Sequence, residues 1–168
     1  MAIRPVVKYP DPLLRERSRD LPDGAANREL IADMIETMYA ANGAGLAAVQ
    51  IGEPLRLFIV DECVAGGTQQ DLPLVFVNPV LIHASGETGS RDEGCLSFPG
   101  VYLPVPRAQE VTVSATDAAG APFQLQATAL LARAIQHEMD HLDGRLIIDY
   151  VGRVKRQLIT KRMKNDGK

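Results

Sequence analysis

Apolar residues keep a helical period near both ends of this chain and lose it in the middle. Leu30, Met34, Met38 and Ala41 recur at helical spacing and Asn42-Gly43 follows as a stop, which predicts an amphipathic helix over Ala25 to Asn42. Ahead of it, Pro10-Asp11-Pro12-Leu13-Leu14 reads as a turn opening a short helix. The period then shortens. Leu55 to Asp61, Leu74 to Ser85, Ala108 to Asp117 and Pro122 to Gln126 are short, rich in Val, Ile, Phe or Thr, and separated by Gly, Pro, Asp and Ser clusters. These are expected to be antiparallel strands. From Thr128 to His141 the helical spacing returns, with Thr128 placed as N-cap and Asp143-Gly144 as the end, and Leu130, Ala134, His137 and His141 fall on one stripe. Gly152 to Met163 predicts a last helix, apolar along Val154, Leu158 and Ile159 and basic on its other side.

No internal repeat, low-complexity run or linker divides the 168 residues, so one domain over 1–168 is expected, with 152–168 as a basic C-terminal helix and tail. Cys63 and Cys95 are the only cysteines, which suits a reducing compartment, and Cys63 is expected to be a small buried hydrophobe at a strand end. Met1-Ala2-Ile3-Arg4-Pro5 lacks the apolar stretch of a signal peptide, and no apolar run approaches the ~18 residues of a membrane span. A soluble, cytoplasmic protein without membrane partners is expected. The net charge of -3 is uneven: Gly152 to Lys168 holds seven Lys/Arg against Asp166 alone, +6, which leaves -9 for the rest. Trp is absent and aromatics are 5%, so there is no stacking platform for single-stranded nucleic acid. The basic tail supports an accessory contact with RNA rather than an RNA-binding module.

The chemistry concentrates in His137-Glu138-Met139-Asp140-His141. On a helix the two imidazoles four residues apart share a face and can hold one metal ion, and shuffled chains of this composition contain His-Glu-x-x-His only roughly twice in a thousand. Glu138 points about 100 degrees away from His137, toward water on the ion rather than the ion, which is a general-base position for attack on a carbonyl. A catalytic site needs a third protein ligand. Cys95, in Glu93-Gly94-Cys95-Leu96-Ser97, is the best candidate, although by its residue type alone a buried small hydrophobe is as good a reading. A thiolate with two imidazoles suits zinc and also iron or nickel. Gly43-Ala44-Gly45-Leu46-Ala47-Ala48-Val49-Gln50 offers backbone approach and the Gln50 amide for an oxyanion, and lacks the Lys-Ser/Thr ending of a phosphate loop, so no nucleotide or dinucleotide cofactor is expected. A metallopeptidase cutting internal bonds would need a distal His or Glu ligand, and neither residue occurs after His141. His83 reads as a surface or turn residue, and Asp140 as either solvated or hydrogen-bonded behind the ligands.

Taken together, Gly43 to Gln50, Glu93 to Ser97 and Gln136-His137-Glu138-Met139-Asp140-His141 resemble the three signature motifs of peptide deformylases, in order and with every fixed position matched. The similarity extends to Tyr9-Pro10-Asp11-Pro12, Phe76-Val77-Asn78-Pro79 and Val105-Pro106-Arg107. The resemblance implies an α+β fold in which antiparallel β-sheets surround a central metal-binding helix, with an N-terminal and a C-terminal helix. It implies removal of the formyl group from N-formylmethionine of nascent polypeptides, releasing formate. Cys95, His137 and His141 would hold one divalent ion, natively Fe2+, replaceable by Ni2+, Co2+ or Zn2+. Glu138 would be the general acid/base, and Gln50 with the Leu96 N–H would bind the oxyanion. Gly45 would hydrogen-bond the substrate backbone, and Ala44, Leu130 and Ala134 would shape the methionine pocket. Gly43 is placed on the same substrate side; Arg133, by its place near the pocket stripe of the helix, either packs its stem along the pocket with its head reaching solvent or is an ordinary solvated helix residue. Glu93 and Arg107 resemble the family's ion pair bracing the Cys95 loop. Tyr102 stands where many bacterial members carry Arg, which leaves the preference beyond methionine open. The C-terminal helix is implicated in ribosome docking in bacterial deformylases, which fits the basic tail here.

Overall fold

The computed structural model describes residues 1–22, 27–66 and 72–167, so residues 25 and 26 of the first expected helix, and Lys168 of the tail, lie outside the described residues. Helix α1 spans Arg28–Ala40 and begins where the Asn27 side chain accepts from the Glu29 and Leu30 N–H groups. It ends on Asn42 in the left-handed conformation (φ 55), with Gly43 N–H bonded to Met38 O (2.9 Å) and Asn42 N–H to Tyr39 O (3.0 Å). The turn delivers the chain into β1, Gly45–Ala47.

Strands β2 (Leu57–Val60), β3 (Leu74–Ala84), β6 (Glu110–Thr116) and β7 (Pro122–Thr128) join β1 in one antiparallel sheet of order β1-β2-β3-β6-β7. Every residue of β2 is buried, because both faces of this part of the sheet are covered. On one face α1 packs Leu30, Ile31, Met34 and Met38 against Leu46, Leu57, Ile59 and Val77. On the other, helix α2, Ala129–Leu142, packs Ala132, Ile135 and Leu142 against Phe58, Phe76, Val111 and Val113. The architecture is α+β, with α2 between the sheet and a second, two-stranded one.

That second sheet pairs β4 (Thr88–Cys95) with β5 (Phe98–Ala108), a hairpin absent from the pattern of expected strands. Gly89, Gly94 and the run Arg91-Asp92-Glu93 carry little strand propensity, and β5 holds Pro99, Pro104 and Pro106. Proline is tolerated here because a two-stranded sheet leaves β5 an edge that needs no ladder N–H. The alternation is still present: Val101, Leu103 and Val105 are buried and pack with Leu146, Ile147, Ile148 and Met163.

One further expectation is met in position only, and two are corrected. Thr128 occupies the cap position of α2 without a side-chain capping bond, because it is still the last residue of β7, paired with Glu110. Cys63 is exposed in a one-turn 3-10 helix, Glu62–Ala65, which starts because Asp61 Oδ1 accepts from the Cys63 N–H (3.1 Å) directly after β2 ends. In the last helix, α3 (Arg153–Asp166), Val154 and Leu158 are 72% and 64% exposed; Ile159 and Met163, one turn apart, make the contact with the hairpin instead. No helix among the described residues is long and apolar enough to cross a membrane.

Candidate active site

Cys95 ends β4 at the tip of the hairpin, where the register jumps from Gly94↔Tyr102 to Cys95↔Phe98 and Pro99, Gly100 and Val101 bulge out of β5. The bulge turns the thiol toward α2. There the four-residue spacing sets the His137 and His141 rings with centroids 5.0 Å apart, and Cys95 Sγ lies 3.4 Å from His141 Nε2. Ligand atoms of Cys95, His137 and His141 all stand within 4.8 Å of one another. One soft thiolate and two imidazoles in that space fit a zinc-sized or iron-sized divalent ion.

The two imidazoles differ electrostatically. Burial pushes His141 well below its ordinary value, reinforced by the nearby His137 charge. Burial acts on His137 in the same sense, but its hydrogen bonds with Cys95 and Glu93 outweigh it and hold the imidazole well above the ordinary value. His137 Nδ1 lies 2.9 Å from Glu93 Oε1, which leaves Nε2 as the ring atom free to ligate an ion.

Glu138 turns from the ligand stripe toward the sheet and is 4% exposed. Its Oε2 has no hydrogen-bond partner among the described residues, and burial raises its carboxyl to about 7. Its other oxygen faces Gly45, where an added Cβ would lie 2.7 Å from Oε1. Gln50 follows on a one-turn 3-10 helix, Ala48–Ile51. Its Oε1 accepts from the Ala47 N–H (3.0 Å), which aims the Nε2 amide at Ser97 Oγ (3.1 Å) and toward Cys95 Sγ (3.6 Å). Gln50 is thereby fixed with N–H groups beside the thiol.

A cavity of about 780 Å³ opens in front of these groups. It is lined by Gly43, Ala44 and Gly45, by Glu93 to Leu96, and by Leu130, Arg133 and Ala134 of α2. The helix stripe of Leu130, Ala134 and His137 thus lines the cavity, while Ala132, Ile135 and Leu142 make the core contact. Tyr102, 70% exposed, lies over Gly94, where a Cβ would stand 2.8 Å from its ring. His83, exposed on β3, does not line the cavity.

Behind the ligands, Glu93 and Arg107 form a buried two-pronged ion pair, Nε to Oε2 and Nη2 to Oε1, both 2.9 Å. Burial pushes the Glu93 carboxyl up, but Arg107 and His137 pull it down to about 2. The Arg133 head turns inward: its guanidinium bonds Glu93 Oε2 (2.7 Å), Val105 O (2.8 Å) and Gly89 O (2.8 Å). An arginine beside a buried carboxylate and two open strand carbonyls satisfies more donors inward than outward. Asp140 is hydrogen-bonded, to Arg107 Nη1 and the Tyr150 hydroxyl, each at 2.6 Å. Sequence reading missed Tyr150 and the pocket residues Lys8 and Val64; none sits in a spacing that announces it.

Comparison with known proteins identifies the family. The polypeptide deformylase family profile matches residues 3–157. A peptide deformylase of Bartonella tribocorum is 43% identical over 169 residues, covering 100% of this chain and 95% of its own length. The crystal structure of a peptide deformylase from Legionella pneumophila superposes with a TM-score of 0.88 at 38% identity, covering 99% and 96% of the two chains. That of Ehrlichia chaffeensis peptide deformylase in complex with actinonin gives 0.91 at 34% identity, covering 99% and 98%. The chain belongs to the peptide deformylase family, metal-dependent hydrolases that release formate from N-formylmethionyl peptides.

Proposed function

We propose that residues 1–168 form one catalytic domain in which Cys95, His137 and His141 hold the ion and Glu138 moves the proton during deformylation. The convergence of those three ligand atoms beside a buried, half-unpartnered carboxyl carries the reading. A divalent ion held there supplies Lewis acidity toward water and the formyl carbonyl. Glu138 accepts the proton of the attacking water and passes it to the amide nitrogen as the C–N bond breaks, leaving formate and a free amine. Burial raises its carboxyl, which favours Glu138 holding the proton between the two transfers. Gln50 Nε2 and the Leu96 N–H donate to the oxyanion; Gln50 loses little entropy in doing so because Ala47 and Ser97 already hold its amide.

The formyl-methionine lies along the Gly43-Ala44-Gly45 wall, its backbone bonded to Gly45 and its side chain among Ala44, Leu130 and Ala134. Arg133 contributes its stem to that wall, and its head steadies β4. The ion is Fe2+, favoured by the thiolate in the donor set, and the enzyme works in the reducing cytoplasm, which keeps Cys95 and Fe2+ reduced. Helix α3 presents exposed Arg153, Lys155, Arg156, Lys161, Arg162 and Lys164 as an accessory contact to the ribosome.

The test is formate release from a formyl-Met-Ala-Ser peptide by protein loaded anaerobically with Fe2+, or with Ni2+, beside a Glu138→Ala variant loaded identically. Turnover by the wild type and a loss of about 10²-fold or more in the variant, with metal content unchanged, is the expected result. Absence of turnover at full metal occupancy would overturn the reading.

A further inference from the structure

Tyr150 and Asp140 touch no substrate wall, yet they end a chain of hydrogen bonds that begins on a ligand. His137 Nδ1 meets Glu93 Oε1 at 2.9 Å. That oxygen also accepts from Arg107 Nη2 (2.9 Å), while Oε2 accepts from Arg107 Nε (2.9 Å) and Arg133 Nη1 (2.7 Å). A carboxylate offers about four acceptor sites, so Glu93 is saturated and cannot turn without breaking a charge-assisted bond. Its position is therefore as firm as that of Arg107.

Arg107 is held from the far side. Its Nη1 donates to Asp140 Oδ2 (2.6 Å) and to the Tyr150 hydroxyl (3.3 Å), and Tyr150 in turn donates to Asp140 Oδ2 (2.6 Å). The guanidinium carbons of Arg107 and Arg145 stand 5.1 and 5.2 Å from the Tyr150 ring centroid. Glu93 lies two residues before Cys95 on β4, and Asp140 lies between His137 and His141 on α2. One guanidinium thus ties the strand that carries the thiol to the helix that carries both imidazoles.

We propose that Asp140 and Tyr150 are positioning residues for the metal site. By holding Arg107 they fix Glu93, the His137 ring and the gap between Cys95 and α2, and so set how slowly the ion leaves. The inference rests on reading Cys95, His137 and His141 as the ligands.

The experiment loads wild type, Tyr150→Phe, Asp140→Asn and Asp143→Ala with Co2+, then records the visible spectrum and the rate of release to a chelator. Tyr150→Phe keeps the ring and deletes one hydroxyl; Asp143→Ala breaks the exposed ion pair with Arg56 (3.1 Å) at the same end of α2 and is the control for general loosening. Removing a partner behind a metal ligand costs about 10–100-fold in affinity, so release is expected about tenfold faster in Asp140→Asn and about threefold faster in Tyr150→Phe, each with an altered cobalt spectrum. Asp143→Ala should match the wild type. Wild-type release and spectrum in both Tyr150→Phe and Asp140→Asn would overturn the proposal, even with a lowered melting temperature. Should Asp140→Asn not fold, Tyr150→Phe decides alone. A wild-type chain that takes up no Co2+ would instead overturn the ligand reading.

Discussion

Gly45 and Glu138 touch: a Cβ on residue 45 would stand 2.7 Å from the carboxylate Oε1 and 3.3 Å from Cδ. Gly45 is also the first residue of β1, paired with Val60, so the backbone cannot retreat without breaking the edge of the sheet. Gly45→Ala is therefore expected to displace the carboxylate rather than the strand. A shift of about 1 Å in a catalytic group costs on the order of 10²-fold in rate. Metal content should be unchanged, since His137 and His141 sit on another stripe of α2 and Cys95 sits on β4. Formate release beside metal analysis checks both; an alanine variant with full activity would show that contact with Gly45 does not place Glu138.

Burying Glu138 has a cost that depends on pH. Its carboxyl is raised to about 7 in the ion-free fold, against about 4.3 for an exposed glutamate. Between those values the folded chain keeps a proton that the unfolded chain has released, so stability falls as pH rises through the window. The loss is about 4 kcal/mol once pH is well past 7. Glu138→Gln removes it. Ion-free Glu138→Gln is expected to be more stable than wild type at pH 8 and to converge with it near pH 4, as measured by urea unfolding.

Glu93 behaves in the opposite sense. Its carboxyl is held down at about 2, below the unfolded value of about 4.3. Its contribution is present above about pH 4.3 and disappears as pH falls toward 2, a loss of about 3 kcal/mol. Glu93→Gln should abolish that part of the acid dependence while lowering stability at pH 7, because Arg107 and Arg133 are left without their shared anion. Unfolding curves from pH 2 to 7 on the ion-free protein would show a shallower acid limb in the variant, since Asp33 and Asp149 are also held below the ordinary carboxylate range. A limb as steep as the wild type's would place the titration elsewhere.

Gly144 is needed for a different reason. It closes α2 at φ +72, and a Cβ there would collide with the Arg15 carbonyl. Gly144→Ala should destabilise the fold by about 1–3 kcal/mol through a strained left-handed residue, read as a lower urea midpoint with an unchanged slope.

The parts of this molecule that follow a local period could be read from the chain. His137 and His141 share a face because four residues make about one turn, and the α1 stop at Asn42-Gly43 is a short-range capping pattern. The β4–β5 hairpin could not be read in this way, because Pro104 and Pro106 argue against a strand until its edge is known to be free. Arg133 was expected to end in solvent, since nothing along the sequence says that Gly89 O and Val105 O lie within its reach. Val154 and Leu158 looked like the packing side of α3 for the same reason: periodicity finds an apolar stripe, and only the neighbour decides which stripe is used. The brace of Asp140, Tyr150 and Arg107 joins three elements and has no period at all.

His137 and His141 also predict how the ion and protons compete. In the ion-free protein His137 keeps its proton at neutral pH, held by Cys95 and Glu93 against the effect of burial, whereas burial keeps His141 neutral. Nε2 of His137 must lose that proton before it can ligate, because Nδ1 is occupied by Glu93. Loading at pH 7 is expected to release at least one proton per ion, and apparent affinity should fall by at least about tenfold for each unit the pH is lowered. Titration calorimetry with Ni2+ in buffers of different ionisation heat counts the protons directly. Binding without proton release would show that His137 does not ligate through Nε2.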